Sequence, residues 1–351
     1  MISFYPGPSA VYPEIPLYVQ QAYDEGILSM NHRSPEFIAI SKELQKVIKE
    51  KLEIPQDYMV MYCSSATECW ENIAQSFRSK KSLHFYNGAF GEKWANYQKL
   101  LLGNENVIEA PFGIEESPDL EKFVQTQADL LCLTQCETSN ATQLPEGTLK
   151  KVRSLYPEAL VAIDATSALA GVQIPIALGD IWYASVQKCF GLPAGMAVII
   201  LSPKAQQTAL ANFEAAHYNH LGSMIRQMEA FQTPYTPNVL NIYLLLRTLQ
   251  AAPPIGITSQ RIRAQWQNWK TFLAQKGLKL LIKNEAVQSE TVLAIQASPQ
   301  KVTEIKQKAK AQGILLGNGY GKWKDDCFRI ANFPAIPPEH IQKLITFLEQ
   351  L

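Results

Sequence analysis

The chain has 351 residues, of which 47% are hydrophobic and 18% charged, and this is enough apolar material for a large core with a second, smaller unit. Its 32 Lys and Arg residues balance 32 Asp and Glu residues, so composition argues against a general affinity for nucleic acid or anionic membranes. The longest apolar run, Met196 to Leu201, is too short to cross a bilayer, and the amino terminus lacks a signal-peptide pattern. We therefore expect a cytoplasmic protein with no nucleic-acid or membrane partner.

The first predicted elements are an extended start and one helix. Four prolines near the amino terminus predict a segment without a helix: Pro6, Pro8, Pro13 and Pro16. Ser34 as N-cap and Pro35 at the first helical position then predict a helix, because the apolar residues that follow recur at three-and-four spacing.

Apolar strand-like runs then alternate with helical segments. The runs lie at 58–63, 82–86, 129–134, 160–164, 181–185 and 196–201. Continuous apolar strands between helices predict a mostly parallel sheet that is covered on both faces. Only a loop separates the last two runs, so that pair is expected to include an antiparallel or edge strand.

The carboxyl-terminal third predicts a compact α+β unit. After helices that follow Pro203 and Pro237, the segment 251–254 (Ala-Ala-Pro-Pro) breaks the pattern and is the candidate boundary. Beyond it we predict a long helix, strands, a Lys-rich helix at 300–312, a strand CFRIAN and a closing helix. The predicted domains are a large one at 14–252, and a small one formed by 1–13 together with 253–351.

The six cysteines carry no metal-site pattern. They form no C-x-x-C pair and no Cys/His cluster with zinc spacing: Cys63, Cys69, Cys132, Cys136, Cys189 and Cys327. Most lie in apolar runs, where a reduced thiol behaves as a small hydrophobic group. We therefore expect free thiols in a reducing compartment and no metal.

An acid and a lysine follow neighbouring strand-like runs. Asp164 ends the run 160–164, and Lys188 comes three residues after the run 181–185. Ligands of open parallel sheets bind beyond the carboxyl ends of the strands. Pyridoxal phosphate needs such a pair, since a lysine condenses with its aldehyde and a carboxylate keeps its ring nitrogen protonated. Taken alone, each residue is better explained without a ligand, Lys188 as a solvated surface lysine and Asp164 as a turn residue that caps the next helix.

Several motifs resemble those of class V aminotransferases, and most closely those of phosphoserine aminotransferases. Residues 185–188 (Ser-Val-Gln-Lys) and 191–195 (Gly-Leu-Pro-Ala-Gly) resemble the lysine loop. The segments 6–8 (Pro-Gly-Pro) and 31–37 (Asn-His-Arg-Ser-Pro-Glu-Phe) resemble two other family motifs. This resemblance implies a fold-type I transferase with pyridoxal 5'-phosphate as cofactor. It also implies amino-acid and keto-acid substrates, and a homodimer with shared active sites.

The resemblance assigns roles to individual residues. Lys188 and Asp164 are the expected catalytic residues. Nine residues are expected to bind the cofactor: Ser65, Ala66, Thr67, Phe90, Thr138, Asp164, Gln187, Lys188 and Thr233. Among them, residues 65–67 and Gln187 would contact the phosphate, Phe90 would stack on the ring, Thr138 would bind near the ring hydroxyl, and Thr233 would reach the partner's site. Gln232, beside Thr233, replaces the asparagine usual in the family.

Four further residues are expected to bind substrate: Ser9, His32, Arg33 and Arg329. Arg329 lies in an apolar run, where a guanidinium is costly unless it pairs with a carboxylate. The resemblance implies that it binds the α-carboxylate of the substrate, and the alternative is an internal salt bridge. Arg33, with His32, would reach the distal group of the substrate from the neighbouring subunit, although both are also compatible with a solvated position.

Two departures from the family leave the substrate open. The region 317–322 lacks the usual His-Arg pair, and the segment 64–68 (Ser-Ser-Ala-Thr-Glu) replaces the usual phosphate loop. The predicted reaction converts glutamate and 3-phosphohydroxypyruvate to 2-oxoglutarate and phosphoserine. Alternatives are an alanine–glyoxylate or serine–glyoxylate aminotransferase, a cysteine desulfurase-like lyase that uses Cys327, and a non-catalytic ligand-binding protein.

Overall fold

The computed structural model describes residues 1–351. The strands, in chain order, are β1 (Ile2–Phe4), β2 (Met59–Cys63), β3 (Ser82–Tyr86), β4 (Val107–Pro111), β5 (Leu130–Thr134), β6 (Cys136–Glu137), β7 (Thr142–Gln143), β8 (Leu160–Asp164), β9 (Ile181–Ser185), β10 (Ala197–Leu201), β11 (Lys279–Leu280), β12 (Val292–Gln296), β13 (Ile314–Asn318) and β14 (Cys327–Ala331).

The helices surround two sheets. They are α1 (Ile15–Asp24), α2 (Pro35–Leu52), α3 (Ala66–Ser76), α4 (Ala89–Leu102), α5 (Thr148–Leu155), α6 (Pro203–Ala211), α7 (Leu221–Met228), α8 (Val239–Ala251), α9 (Ile255–Gln275), α10 (Pro299–Ala311) and α11 (Pro338–Glu349). None of them combines the length and the hydrophobicity that a membrane span requires.

The larger sheet has seven strands in the order β2-β10-β9-β8-β5-β3-β4. The five strands from β9 to β4 are parallel to one another, and β10 is antiparallel to both of its neighbours. The predicted mostly parallel sheet is therefore confirmed, with its antiparallel strand inside the sheet. Strands β8, β9 and β10 are buried along their whole length, which explains why the sequence reads there as unbroken apolar runs.

The predicted start of α2 is confirmed, but the prediction that Pro16 prevents a helix is wrong. The Ser34 hydroxyl accepts a hydrogen bond from the Phe37 N–H at 3.2 Å and caps α2, with Pro35 as the first helical residue. Helix α1 nevertheless begins at Ile15 and contains Pro16 in its first turn. A proline there removes an N–H group that has no intrahelical partner in any case, so the helix tolerates it.

The smaller sheet contains five strands in the order β1-β13-β14-β12-β11. Strand β1 is parallel to β13, and the other pairs are antiparallel. This sheet carries its own cluster of 27 buried residues, and the larger sheet and its helices enclose another of 69. Pro253 and Pro254 lie between α8 and α9, where the sequence predicts the boundary, and the exact domain limits stay a prediction.

Candidate active site

A cavity of about 530 Å³ lies beyond the carboxyl ends of the central strands. Asp164 ends β8, Ser185 ends β9, and Lys188 follows three residues later, so the strand order brings these side chains to one wall. Arg329, from β14 of the smaller sheet, lies on the same cavity. A volume of this size accommodates a small cofactor together with part of a substrate.

Lys188 is held inside this cavity by two hydroxyl groups. Its side chain is only 8% exposed, and Nζ donates to Thr138 Oγ1 at 2.8 Å and to Ser167 Oγ at 2.9 Å. Nζ also lies 5.3 Å from the centre of the Phe90 ring. Burial lowers the pKa of Lys188, although Asp164 opposes this effect. The environment therefore increases the neutral fraction of the amine, which is its nucleophilic form.

Asp164 is a buried carboxylate on the same wall. Its Oδ1 accepts a hydrogen bond from the Thr166 N–H at 2.8 Å. Burial raises the pKa of Asp164, whereas the hydrogen bond from the Thr166 backbone and the charge of Lys188 oppose that rise. A carboxylate in this position is best stabilised by a positively charged N–H donor in the cavity.

Three polar atoms on the cavity wall are buried without a hydrogen-bond partner. They are Thr134 Oγ1, Thr166 Oγ1 and Gln187 Oε1. Each buried polar atom left unpaired costs about 1–3 kcal/mol, so native proteins rarely leave several of them together. Their arrangement around Asp164 and Lys188 indicates that a polar ligand completes this wall.

The amino terminus of α3 forms another part of the cavity. Ser65 is its N-cap and accepts from the Glu68 N–H at 3.1 Å, while Ala66 and Thr67 line the cavity. Ser185 Oγ accepts from the Ala66 N–H at 2.9 Å and ties this helix to β9. The partial positive charge at a helix amino terminus favours a bound anion such as phosphate.

Phe90 is positioned by a residue that the sequence analysis missed, Glu137. The buried Glu137 carboxylate accepts from the backbone N–H groups of Phe90 and Gly91, both at 3.1 Å, at the start of α4. Its second oxygen accepts from the Ser139 N–H at 2.9 Å. A Cβ atom at Gly88 would lie 2.4 Å from Glu137 Cγ, so this close approach requires glycine.

The start of the chain closes over Lys188. Tyr5, Pro6, Gly7 and Pro8 line the cavity, and Gly7 has a φ of +142°. A Cβ atom at Gly7 would lie 2.7 Å from Lys188 Cε, so only glycine fits between the backbone and the lysine.

Arg329 is a buried guanidinium without a carboxylate partner. Its side chain is 5% exposed, Nε donates to the Asn318 carbonyl and Nη1 donates to the Thr138 carbonyl, both at 2.6 Å. None of the salt bridges of the protein includes it. Burial lowers the pKa of Arg329. An unpaired cation at the wall of a cavity is a binding position for a carboxylate ligand.

The structure therefore brings most of the predicted residues together. Eight of them line the cavity: Ala66, Thr67, Phe90, Thr138, Asp164, Gln187, Lys188 and Arg329. Ser9 lies beside it, since its N–H donates to the Gln187 carbonyl at 3.0 Å, but its hydroxyl is buried without a partner.

Three predicted residues lie outside the cavity of their own protomer. Arg33 Nη1 donates to Gln227 Oε1 at 3.1 Å and to Gln232 Oε1 at 2.5 Å, on the surface. Thr233 is 2% exposed, and its hydroxyl donates to the Tyr235 carbonyl at 2.5 Å. His32 lies next to Arg33. Burial lowers the pKa of His32, and the charge of Arg33 lowers it further.

Other residues that line or support the site were not found from the sequence. Thr166 and Ser167 follow Asp164 almost directly, so their position after a strand was a usable signal. Glu137 and Tyr320 gave no comparable signal, because each acts on a segment that is distant in the chain.

The comparisons with known proteins agree with this geometry. The class-V aminotransferase family matches residues 6–321. The phosphoserine aminotransferase of Rhodococcus opacus is 25% identical over 353 residues, which cover 96% of this chain and 91% of that protein. The crystal structure of a phosphoserine aminotransferase from Cytophaga hutchinsonii has a TM-score of 0.90 at 30% identity, and the match covers 99% of this chain and 98% of that chain. An alanine–glyoxylate aminotransferase from Nostoc shares the fold, with a TM-score of 0.84 at 18% identity over 99% of this chain and 94% of that chain.

The residues of the cavity fit the cofactor of this family. Pyridoxal phosphate carries an aldehyde, a ring nitrogen and a phosphate. The cavity offers the Lys188 amine, the Asp164 carboxylate and the amino terminus of α3, respectively, with Phe90 facing Lys188. The unpartnered oxygens of Thr134, Thr166 and Gln187 are free to pair with a polar ligand at this wall. A match over most of its length, together with a cavity of this composition, places the chain in the class-V aminotransferase family, whose members are pyridoxal-phosphate-dependent enzymes of fold type I.

Proposed function

We propose that this enzyme transfers an amino group from glutamate to 3-phosphohydroxypyruvate and releases 2-oxoglutarate and phosphoserine. The observation that carries the proposal is the unpaired, buried Arg329 on the same cavity as Lys188 and Asp164. Relatives that are named phosphoserine aminotransferase support it, at 25% identity in sequence and 30% in a solved structure. The two substrates would use the same cavity in turn, as a ping-pong cycle requires.

We assign the proton transfers to Lys188. When bound, the cofactor supplies an aldehyde that condenses with amines and a ring that accepts the electron pair released at the amino-acid Cα. The Lys188 amine, whose neutral form is favoured by burial, would hold the cofactor through its aldehyde and would take up and return the proton at the Cα of the amino acid. Asp164 would accept a hydrogen bond from the N–H of the ring and so keep the ring nitrogen protonated.

We assign the remaining predicted residues to binding. Residues 65–67, at the start of α3, and Gln187 would hold the phosphate, Phe90 would stack on the ring, and Thr138 would bind near the ring hydroxyl. Arg329 would hold the α-carboxylate through two parallel hydrogen bonds. Ser9, whose N–H donates to the Gln187 carbonyl, would also contact the substrate.

We further propose a homodimer in which His32, Arg33 and Thr233 serve the site of the partner. The contact of Arg33 with Gln232 supports this, since it joins both segments on one surface, away from the cavity of their own protomer. Six free, buried cysteines support our proposal that the enzyme works in the reducing cytoplasm.

An alanine–glyoxylate or serine–glyoxylate aminotransferase is the second candidate, because the region 317–322 lacks the family's His-Arg pair. A desulfurase is less well supported. Cys327 is 1% exposed, and burial raises its pKa to about 12, so its thiol is protonated at neutral pH.

Amino-donor half-reactions test the proposal. Phosphoserine, glutamate, alanine and serine would each be mixed with the holoenzyme, and the loss of the cofactor's visible absorbance would be followed. We expect conversion with phosphoserine and glutamate. Conversion only with alanine or serine would favour the second candidate.

Replacement of the lysine tests the site itself. We expect Lys188→Ala to abolish turnover, because Lys188 is the buried amine beside Asp164 and the other lysine of the cavity, Lys324, lies on the turn between β13 and β14. The exposed Lys310, on α10, provides the control variant Lys310→Ala, which should keep wild-type activity. Turnover at a normal rate by Lys188→Ala would refute the assignment.

A further inference from the structure

The turn between β13 and β14 forms one side of the cavity mouth. Asn318, Gly319, Tyr320, Gly321 and Lys324 all line the cavity. The turn is tightly held, because a Cβ atom at Gly319 would lie 1.9 Å from a backbone oxygen within the turn. Asn318 fixes its start, since Nδ2 donates to the Tyr5 hydroxyl at 3.1 Å.

Tyr320 lies between Arg329 and the aromatic wall. Its ring centre is 5.5 Å from the Phe90 ring centre and 5.5 Å from the Arg329 guanidinium carbon. Lys93, on α4, donates to the Tyr320 hydroxyl at 2.7 Å. Because a lysine only donates, the hydroxyl hydrogen of Tyr320 stays free for an acceptor in the cavity.

The charges at this mouth favour an anion. Lys324 lines the cavity and takes part in no salt bridge of the protein, although Asp325 and Asp326 follow it directly. Glu137, a carboxylate near Phe90, already accepts hydrogen bonds from the backbone N–H groups of Phe90 and Gly91. Lys324 and the Tyr320 hydroxyl are therefore both available to an anion in this cavity.

We propose that Tyr320 and Lys324 form the subsite for a second anionic group, a phosphate or carboxylate, on the substrate side chain, with Lys93 as the residue that positions Tyr320. The proposal rests on the proposed function, in which every donor and acceptor carries such a group beside the α-carboxylate. It assigns to these residues the recognition that the missing His-Arg pair leaves open. Arg329 holds one end of the substrate, and the turn at 318–324 holds the other.

Single-turnover kinetics of the holoenzyme test this subsite. Phosphoserine, glutamate and alanine would each be titrated in the half-reaction, which gives a saturation constant and a limiting rate. We expect Lys324→Gln to raise the saturation constant for phosphoserine about tenfold, and Tyr320→Phe about fivefold, with alanine changed less than about twofold. Lys93→Gln should raise the constants for the two anionic donors and leave the limiting rates near wild type.

Lys322→Gln is the matched control, because Lys322 lies on the same turn and its Nζ is 4.7 Å from the Trp323 ring centre, not on the cavity wall. Equal effects on alanine and on phosphoserine, or equal effects of Lys324→Gln and Lys322→Gln, would overturn the subsite. So would a wild-type enzyme that uses alanine as well as both anionic donors. If Lys324→Gln raised the saturation constant for glutamate while phosphoserine did not react at all, the subsite would be supported as a carboxylate site. Only the proposed function would then be refuted. If phosphoserine reacted and Lys324→Gln left its saturation constant unchanged, the subsite would be refuted and the proposed function would stand.

Discussion

The candidate active site gathers three charged side chains that come from apolar parts of the chain. Lys188, Asp164 and Arg329 each stand in or directly after an apolar run, where an unpaired charge is costly and calls for an explanation. All three line one cavity. Glu137 was not found, because its role comes from backbone N–H groups almost fifty positions away, and no local spacing records such a contact.

Glu137 therefore makes a sharp test at the scale of one residue. We expect Glu137→Gln to destabilise the protein by about 1–3 kcal/mol, because the amide presents N–H donors or a weaker acceptor to the backbone donors of α4. Phe90 would lose its fixed position, so the affinity for pyridoxal phosphate should fall about tenfold. Fluorescence titration of the apoprotein measures this affinity, and urea unfolding measures stability. Unchanged cofactor affinity would contradict the positioning of Phe90 by Glu137.

Among elements, those with continuous apolar runs were predicted and those with mixed composition were not. Strands β3, β8 and β9 match the predicted ranges, since burial on both faces makes most of their residues apolar. Strand β4, at the edge of its sheet, contains Glu109, and β13 ends in Gly317 and Asn318; the sequence pattern predicts neither strand. The number of prolines does not predict helix α1, because a proline in the first turn of a helix, such as Pro16, does not prevent that helix.

The packing of β3 on α4 predicts a pH-dependent stability. His84 is buried edge-on against Trp94, with ring centres 5.3 Å apart, and neither ring nitrogen has a partner. Burial lowers the pKa of His84 to about 3. Its unfolded pKa is about 6.5, so below that value the unfolded chain binds a proton that the folded protein does not, and stability falls as pH falls.

The variant His84→Phe keeps an aromatic ring against Trp94 but has no group that can bind a proton. We expect wild type to lose about 3 kcal/mol more than His84→Phe between pH 7 and pH 4. Urea unfolding at both pH values measures the free energy of unfolding, with the two proteins either both carrying the cofactor or both without it. His340→Phe, on α11, is the control and should follow wild type. Parallel pH profiles of wild type and His84→Phe would contradict the prediction.

The chain start makes a second prediction for an element. In Gly7→Ala, the new methyl group meets Lys188 Cε at 2.7 Å and the backbone has a φ of +142°, so we expect both lower stability, by about 1–3 kcal/mol, and a strong loss of activity. Gly313→Ala is a matched control, because φ is +74° there but nothing lies within 4 Å of the new Cβ atom. Steady-state assays should show activity lost only in Gly7→Ala. Equal activities of the two variants would show that the contact with Lys188 is unimportant.

For the whole molecule, the proposed exchange of residues between subunits predicts complementation. If Arg33 serves the site of the partner, Arg33→Ala and Lys188→Ala are each inactive, but a mixed dimer contains one intact site. Random reassortment should then restore about a quarter of the wild-type rate. Activity assays before and after co-refolding measure the recovery. A mixture that stays inactive, or an active monomer in light scattering, would contradict shared sites.

The pairing of β1 with β13 also has a consequence for synthesis. Ile2 pairs with Ile314, which is synthesised much later, and the segment 5–8 that covers Lys188 follows directly after β1. Loop closure over such a separation is slow and comes late. A nascent chain in which β13 is not yet synthesised therefore carries the strands of the Lys188 wall before the segment 5–8 is fixed over the lysine.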